Sequence, residues 1–213
     1  MKIHKSATMF IRLFDQEQHF IDDSVDNIVN DLPQNGTMAL SGGSTPRPIY
    51  KALPNLPEVQ FFQVDERYVP ANDENSNNKL IQETIHPQHF HFFDTSLPID
   101  ECLKKYQDEL PTEPFDLMVL GIGPDGHTAS LFPGSPALET KNTGAHTTTE
   151  EFAIKDRLTI TFPVIMKAKK LLILLKGKEK EEILNRLTTS KTKLPAQKIM
   201  DHPNIHIHLL VPI

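Results

Sequence analysis

The stretch from Phe115 to Gly134, FDLMVLGIGPDGHTASLFPG, constrains this chain more than any other. Its apolar run, Leu117-Met118-Val119-Leu120-Gly121-Ile122, lacks polar alternation. That pattern belongs to a strand buried on both faces, as in a parallel sheet. Gly123-Pro124-Asp125-Gly126 then breaks the run, a backbone that uses glycine's tolerance for positive φ or for close approach of a ligand. His127 stands directly behind the turn, and Thr128-Ala129-Ser130-Leu131-Phe132 is expected to open a short helix. The spacing therefore puts a titratable imidazole at the end of a central strand, where α/β proteins keep their sites. A lone histidine is usually structural or merely exposed, but the flanking glycines favour a site.

The chain before this stretch repeats the same grammar. Asp15 and Gln18 resemble a capping box, and Phe20, Ile21, Val25, Ile28, Val29 and Leu32 fall on one helical face. Thr37–Leu40 reads as a short strand running into Ser41-Gly42-Gly43-Ser44-Thr45-Pro46, and Pro46 and Pro48 suit the first turn of a following helix. Strand, glycines, hydroxyls and helix start together make an anion cradle, with Gly42, Gly43, Ser44 and Thr45 as donors. No Lys follows the glycines as in a Walker loop, and the alternative is an ordinary turn with a capping hydroxyl. Val59–Val64 is a further apolar run, ending in Asp65-Glu66-Arg67. These charges read either as a solvated loop or as cleft residues, and their recurrence at the end of a strand favours the cleft. Asn72–Asn78 reads as a polar loop, followed by a helix carrying Leu80, Ile81, Thr84 and Ile85.

Beyond it, Ile99–Leu110 is amphipathic, with Cys102, Leu103, Tyr106 and Leu110 inward, and Glu139–Glu151 reads as a surface loop. Leu158–Phe162, Leu171–Leu175 and Ile205–Val211 are expected strands, and a helix enters through Gly177. Strands alternate with helices without repeats or linkers, so residues 1–213 are expected to form one α/β domain with a largely parallel sheet. His86, His89 and His91 sit in a Pro-containing connection, and His202, His206 and His208 lie near the end of the chain. Neither group has a carboxylate or cysteine at a recognised ligand spacing, so no metal is expected.

An apolar content of 38% and a charged content of 23% fit a globular chain with a proper core. The single Cys102 leaves no internal disulfide and fits a reducing compartment. No apolar run has the length of a leader or a membrane span, so a cytoplasmic protein is expected. The net charge of −6 argues against a nucleic-acid partner, while a few cations converging in one cleft still suit a small anion. The oligomeric state is not legible.

Three motifs stand in order: SGGSTP at 41–46, DERYVP at 65–70 and GIGPDGHTASLFPG at 121–134. With RLTIT at 157–161 and Gly177-x-x-Lys180, the set resembles the 6-phosphogluconolactonase family over nearly the whole chain. The related glucosamine-6-phosphate deaminases share the glycine loop, an acidic pair and a DGH turn. Arg67 and the Thr128–Phe132 segment match the lactonases instead. The resemblance implies a Rossmann-like fold, shared with those deaminases and with ribose-5-phosphate isomerase. It also implies metal-independent, cofactor-free hydrolysis of 6-phospho-D-glucono-1,5-lactone in the pentose phosphate pathway. The chain departs from the family pattern at Gln63-Val64, at Met166 and in its final segment, HIHLLVPI.

A δ-lactone is an activated ester, so its hydrolysis needs one water deprotonated and one oxyanion stabilised. A histidine, which ordinarily titrates near ~6.5, suits the first task at neutral pH, so His127 is the expected general base. Asp125 orients either the loop or the imidazole. Arg67 serves either the carbonyl oxygen or the phosphate, and Asp65 and Glu66 position Arg67 or the sugar hydroxyls. Lys180, through Gly-x-x-Lys, matches a phosphate-contacting lysine of the related fold, and Lys169 and Arg157 are further binding candidates. The rival readings are an isomerase or deaminase in which Asp65 moves a proton, and a non-enzymatic sugar-phosphate sensor.

Overall fold

The structure is a computed structural model and describes residues 8–211. The first seven residues, which entered the leader reading, and the last two, which belong to the departing C-terminal segment, lie outside it. In chain order the elements are β1 (Thr8–Phe14), α1 (Glu17–Asp31), β2 (Thr37–Leu40), α2 (Arg47–Ala52), β3 (Gln60–Gln63) and β4 (Asp65–Arg67). Then come α3 (Asn77–Ile85), β5 (His89–His91), α4 (Ile99–Glu109), β6 (Leu117–Leu120), β7 (Gly144–Thr148) and β8 (Asp156–Ile160). The chain closes with α5 (Phe162–Ile165), β9 (Leu171–Lys176), α6 (Lys178–Thr189), α7 (Gln197–Met200) and β10 (Asn204–Leu210). No helix among the described residues is long and apolar enough to cross a membrane.

Seven strands form one sheet in the order β1-β10-β9-β6-β2-β3-β5, and every neighbouring pair is parallel. The unbroken apolar runs of the sequence follow from this arrangement. Along β6, Leu117 and Val119 pack toward Phe20, Ile28, Tyr50 and Ile81, while Met118 and Leu120 pack toward Tyr106, Ile160 and Leu184. Alternate residues thus feed two different cores, and each such side chain contributes about 1.5–3 kcal/mol by leaving water. From β2 the chain adds β3 and β5 on one side, then returns to add β6, β9 and β10 on the other. The crevice between β2 and β6 is therefore a topological switch point, where such sheets leave a gap beyond the carboxyl ends of their strands.

Several expectations need correction. Of the two readings of Asp65-Glu66-Arg67 the solvated loop is excluded, since these residues form a strand of a second, antiparallel sheet ordered β4-β8-β7. The presumed surface loop Glu139–Glu151 supplies its third strand, β7. That strand, GAHTT, has no apolar periodicity because it is held by backbone pairing and by Thr147 Oγ1, which donates to the Ser130 carbonyl at 3.0 Å. Thr128–Phe132 opens no helix: Ala129 takes φ 53°, and the Leu131 amide donates back to the Thr128 carbonyl at 3.0 Å. The hydroxyls of Thr128 and Ser130 bond outside this turn, in competition with a helical path. The Asp15/Gln18 capping box does not form, since Gln16 is the N-cap and makes no side-chain cap bond. His89–His91 is an edge strand, not a connection. β1 was not anticipated, and Val29, assigned to the inner face of α1, is exposed.

Gln63, one of the departures from the family pattern, is fully buried and fully used. Its amide donates to Glu66 Oε2 at 2.8 Å and accepts from the Phe93 amide at 2.8 Å. It thereby joins β3 and β4 to the segment after β5.

Candidate active site

Beyond the carboxyl ends of β2, β3, β6 and β9 lies a cleft of about 520 Å³, a size suited to one small ligand. Its floor at β6 is the Gly123–His127 turn. The Gly126 amide donates to the Gly123 carbonyl at 2.9 Å, and the Gly123 amide donates to the His127 carbonyl at 2.8 Å. Inside this closed turn His127 Nδ1–H donates to Asp125 Oδ1 at 2.5 Å. The same oxygen accepts from the His127 amide at 3.2 Å. Burial pushes the Asp125 carboxyl up, but its bonds with His127 outweigh this and hold it below the usual carboxylate range. Asp125 is thus a carboxylate at neutral pH, and it fixes the tautomer in which Nε2 is the free acceptor. Gly123 is indispensable to this pair, because a Cβ there would fall 2.1 Å from His127 Nδ1 and 2.5 Å from Asp125 Oδ1.

Two aromatic rings flank the imidazole: Phe132 at 4.9 Å and Phe152 at 5.8 Å between centroids. Phe152 comes from the β7–β8 connection and in turn carries the Arg157 guanidinium 5.5 Å above its ring. Arg157 is 8% exposed, and its Nε donates to the Ile154 carbonyl at 3.0 Å. It is the direct cross-strand neighbour of Arg67. Burial and the Arg67 charge both push its pKa down, against the pull of Asp65 and Glu66. Among the described residues neither arginine has a carboxylate within salt-bridge distance. Two adjacent, partly desolvated cations without a counter-ion are what an anion site looks like before its ligand arrives.

The glycine turn Ser41–Thr45 forms the opposite wall, anchored where the Ser41 amide donates to the Val119 carbonyl at 3.2 Å and Tyr50 Oη donates to the Ser41 carbonyl at 2.8 Å. The helix behind it, α2, has only six residues, so its dipole is weaker than the sequence suggested. Cationic charge comes instead from Lys180, whose Nζ lies 3.8 Å from Glu179; Lys176, the last residue of β9, lines the cleft too but pairs with Glu17 at 2.7 Å. Asp65 faces the cleft as well, with its Oδ2 accepting from Ser130 Oγ at 2.6 Å.

Nine of the residues singled out in the sequence therefore line one space: Gly42, Gly43, Ser44, Thr45, Asp65, Arg67, His127, Arg157 and Lys180. Asp125 lies behind His127. Two do not fit. Glu66 is buried beneath the cleft, and burial pushes its carboxyl pKa up despite bonds from Asn77, Asn78, Gln63 and Arg67. Lys169 precedes the amino end of β9, a strand of six residues or roughly 20 Å from the cleft, and its Nζ pairs with Asp116 at 2.6 Å. Asn77, Ser130, Phe132 and Phe152 line the cleft without having been identified. No local signal marks Asn77 and Phe152, which come from the first turn of α3 and from the β7–β8 connection, whereas Ser130 and Phe132 lie within the 121–134 motif without having been given a role. The histidine groups do not converge on the cleft: His86 and His89 are exposed, and others have structural partners. His91 contacts Glu109 and Gln60, and His202 Nε2 donates to the Ala168 carbonyl at 2.8 Å while its Nδ1 accepts from the Asn204 amide at 3.2 Å.

The chain is similar to known proteins over most of its length. The family model described as glucosamine-6-phosphate isomerases/6-phosphogluconolactonase matches residues 15–207. A probable 6-phosphogluconolactonase of Dictyostelium discoideum is 34% identical, the match covering 90% of this chain and 94% of that protein. The 6-phosphogluconolactonase of Thermotoga maritima is 38% identical over 75% of this chain and 77% of its own length. The crystal structure of a 6-phosphogluconolactonase from Thermotoga maritima superimposes with a TM-score of 0.86 at 30% identity, covering 96% of this chain and all of that one. A 6-phosphogluconolactonase from Trypanosoma brucei gives 0.80 at 25% identity, covering 97% of both chains. The chain belongs to the glucosamine-6-phosphate isomerase/6-phosphogluconolactonase family.

Proposed function

We propose that this chain hydrolyses 6-phospho-D-glucono-1,5-lactone to 6-phospho-D-gluconate, the lactone step of the cytoplasmic pentose phosphate pathway, with His127 as general base and no metal. The observation that carries the reading is the Asp125–His127 pair, facing a cleft whose two arginines have no carboxylate at salt-bridge distance among the described residues. The relatives that bear the name 6-phosphogluconolactonase support the choice of substrate.

In this reaction Nε2 of His127 takes a proton from water as the water oxygen adds to the lactone carbonyl carbon. The carbonyl π electrons move onto its oxygen, giving a tetrahedral oxyanion. Collapse re-forms the carbonyl, breaks the bond to the ring oxygen, and draws the proton from the imidazolium onto that leaving oxygen. Asp125 accepts from Nδ1–H throughout and stabilises the transient imidazolium. A neutral imidazole suffices for attack on an activated ester, so a metal-bound hydroxide has no task. Buried Phe132 packs beside the imidazole, while Phe152, which is 38% exposed, flanks it at 5.8 Å. Ser44, Thr45, the glycine-turn amides and Lys180 hold the phosphate, while Arg67 and Arg157 answer the anionic charge of the bound substrate. Asp65 is engaged by Ser130 and Asn77, which suits it to hold sugar hydroxyls and not to carry a proton between carbons.

The test is a coupled assay on freshly generated lactone, corrected for spontaneous hydrolysis and run on chelator-treated protein. His127→Ala is expected to lower kcat by at least about a hundredfold with the fold kept. A folded variant with near-native turnover refutes the base. Activity lost to chelator and restored by Zn²⁺ or Mg²⁺ refutes the metal-free route.

A further inference from the structure

The stretch Asn72–Asn78 reads as a polar loop, yet it delivers a side chain that touches both β4 and the glycine turn. Asn77 is the first residue of α3 and is only 1% exposed. Its Oδ1 accepts from Arg67 Nη1 at 2.6 Å. Its Nδ2 donates to the Asp65 carbonyl at 2.9 Å and to Asp65 Oδ1 at 3.3 Å. The amide also lies flat against the glycine turn, since a Cβ on Gly42 would fall 1.9 Å from Asn77 Oδ1. Only this orientation works. Turned over, the amide would set a donor against the guanidinium and an acceptor against the carboxylate.

The amide is held from below by Glu66. Glu66 Oε1 accepts from the amides of Arg67 and Asn77, at 2.8 and 2.7 Å. Oε2 accepts from the Asn78 amide at 2.7 Å and from Ser76 Oγ at 3.1 Å, in addition to Gln63. A buried carboxylate so saturated clamps the first turn of α3 onto β4 and leaves Asn77 one place to stand. The chemistry of an asparagine then matters. An aspartate of the same shape would pair with Arg67 and cancel its charge, and it would repel Asp65. The neutral amide steers the guanidinium while leaving its full charge for a ligand.

We propose that Asn77 is a positioning residue for the lactonase reaction: it holds Arg67 as an uncompensated cation and keeps it apart from Asp65, with Glu66 fixing Asn77 in turn. The inference rests on the reading that Arg67 answers the anionic charge of the substrate.

The test is a double-mutant cycle on the full chain, after the wild-type protein has been assayed on the phosphorylated lactone. Because Asn77 acts through Arg67, Asn77→Ala is expected to lower kcat/KM by about tenfold or more in the wild-type background and to change it little in an Arg67→Ala background. Asn77→Asp, which keeps the shape, is expected to lose about a hundredfold in kcat/KM and to bind 6-phosphogluconate more weakly by calorimetry. Where alanine lowers the melting temperature, Asn77→Ser carries the same cycle. Losses that multiply in the double variant, or an Asn77→Asp protein with wild-type kcat/KM and product affinity, overturn the proposal. A wild-type protein without lactonase activity sinks the functional reading instead, and the calorimetric comparison then decides the Asn77 inference separately.

Discussion

Replacing Gly123 by alanine adds one methyl group and tests the geometry of the base directly. The new Cβ would stand 2.1 Å from Nδ1 and 2.2 Å from Cε1 of His127, where ordinary contact begins at 3.4 Å. The Gly123 backbone is not in the left-handed region, so alanine adopts it without strain. The whole conflict therefore falls on the imidazole and on Asp125. The imidazole is the end of a side chain and can swing aside by more than 1 Å, at a cost of about 1.5–3 kcal/mol for the charge-assisted bond it gives up. That swing breaks the 2.5 Å bond to Asp125 and takes Nε2 off the line of attack. A misplacement of about 1 Å typically costs on the order of a hundredfold in rate. We expect Gly123→Ala to lower kcat by about that factor, with KM nearly unchanged because the phosphate contacts are untouched.

The assay is the coupled lactone measurement, paired with thermal melting to establish that the fold survives. Combined with His127→Ala, the glycine change should cost nothing further, since the group it displaces is already gone. A folded Gly123→Ala protein with wild-type kcat, or one in which the loss lies wholly in KM, would refute the argument that Gly123 is there to admit the Asp125–His127 pair.

Two further expectations follow from other parts of the molecule. If Ser44, Thr45, Lys180 and the arginines meet one phosphorylated ligand, unphosphorylated gluconolactone should have a kcat/KM lower by orders of magnitude, at roughly 1.5–3 kcal/mol per charge-assisted contact; comparable values for the two lactones would contradict this. Burial pushes the His208 pKa down to about 4, so the unfolded chain binds its proton first as pH falls below ~6.5, and roughly 3 kcal/mol of stability should drain away between there and pH 4. Urea unfolding at pH 7 and pH 5 should therefore show a steeper pH dependence in the wild type than in His208→Gln, and equal slopes would exclude the assignment.

The parallel core was legible because burial on both faces leaves an unbroken apolar run, and LMVL at β6 and LLILL at β9 carry that mark. The His127 turn was legible for a related reason, since glycines at a strand end record close approach, and here the approaching group is the imidazole itself. The antiparallel sheet was not. Its strands DER, GAHTT and DRLTI are short, and two of the three are largely polar. Their pairing is settled by backbone bonds between segments some ninety residues apart in sequence, as where Arg67 meets Arg157. Asn77 was hidden by composition, since asparagine in a run of Asn, Asp and Ser ordinarily signals a turn. Lys169 was misassigned because two lysines near one strand look alike until the direction of that strand is known.

That second sheet explains why the site reads poorly from local pattern and well from chemistry. Like charges directly opposite one another on neighbouring strands are destabilising, and burial makes the repulsion worse. Arg67 and Arg157 nevertheless face each other across β4 and β8, one gripped by the Asn75 carbonyl and Asn77, the other by the Ile154 carbonyl and the Phe152 ring. None of these partners is anionic. A fold selected for stability alone would place a carboxylate here, and the nearby Glu66 is the obvious candidate. Instead its oxygens are spent on the backbone of α3 and on Gln63, Ser76 and the Arg67 amide. Glu66 thus serves as scaffolding and, among the described residues, forms no salt bridge with either guanidinium group. On the proposed reading, the repulsion retained between the arginines, offset in part by Asp65 and Glu66, is relieved further by an anion from outside, so the same arrangement that weakens the empty site would give the phosphorylated substrate its hold.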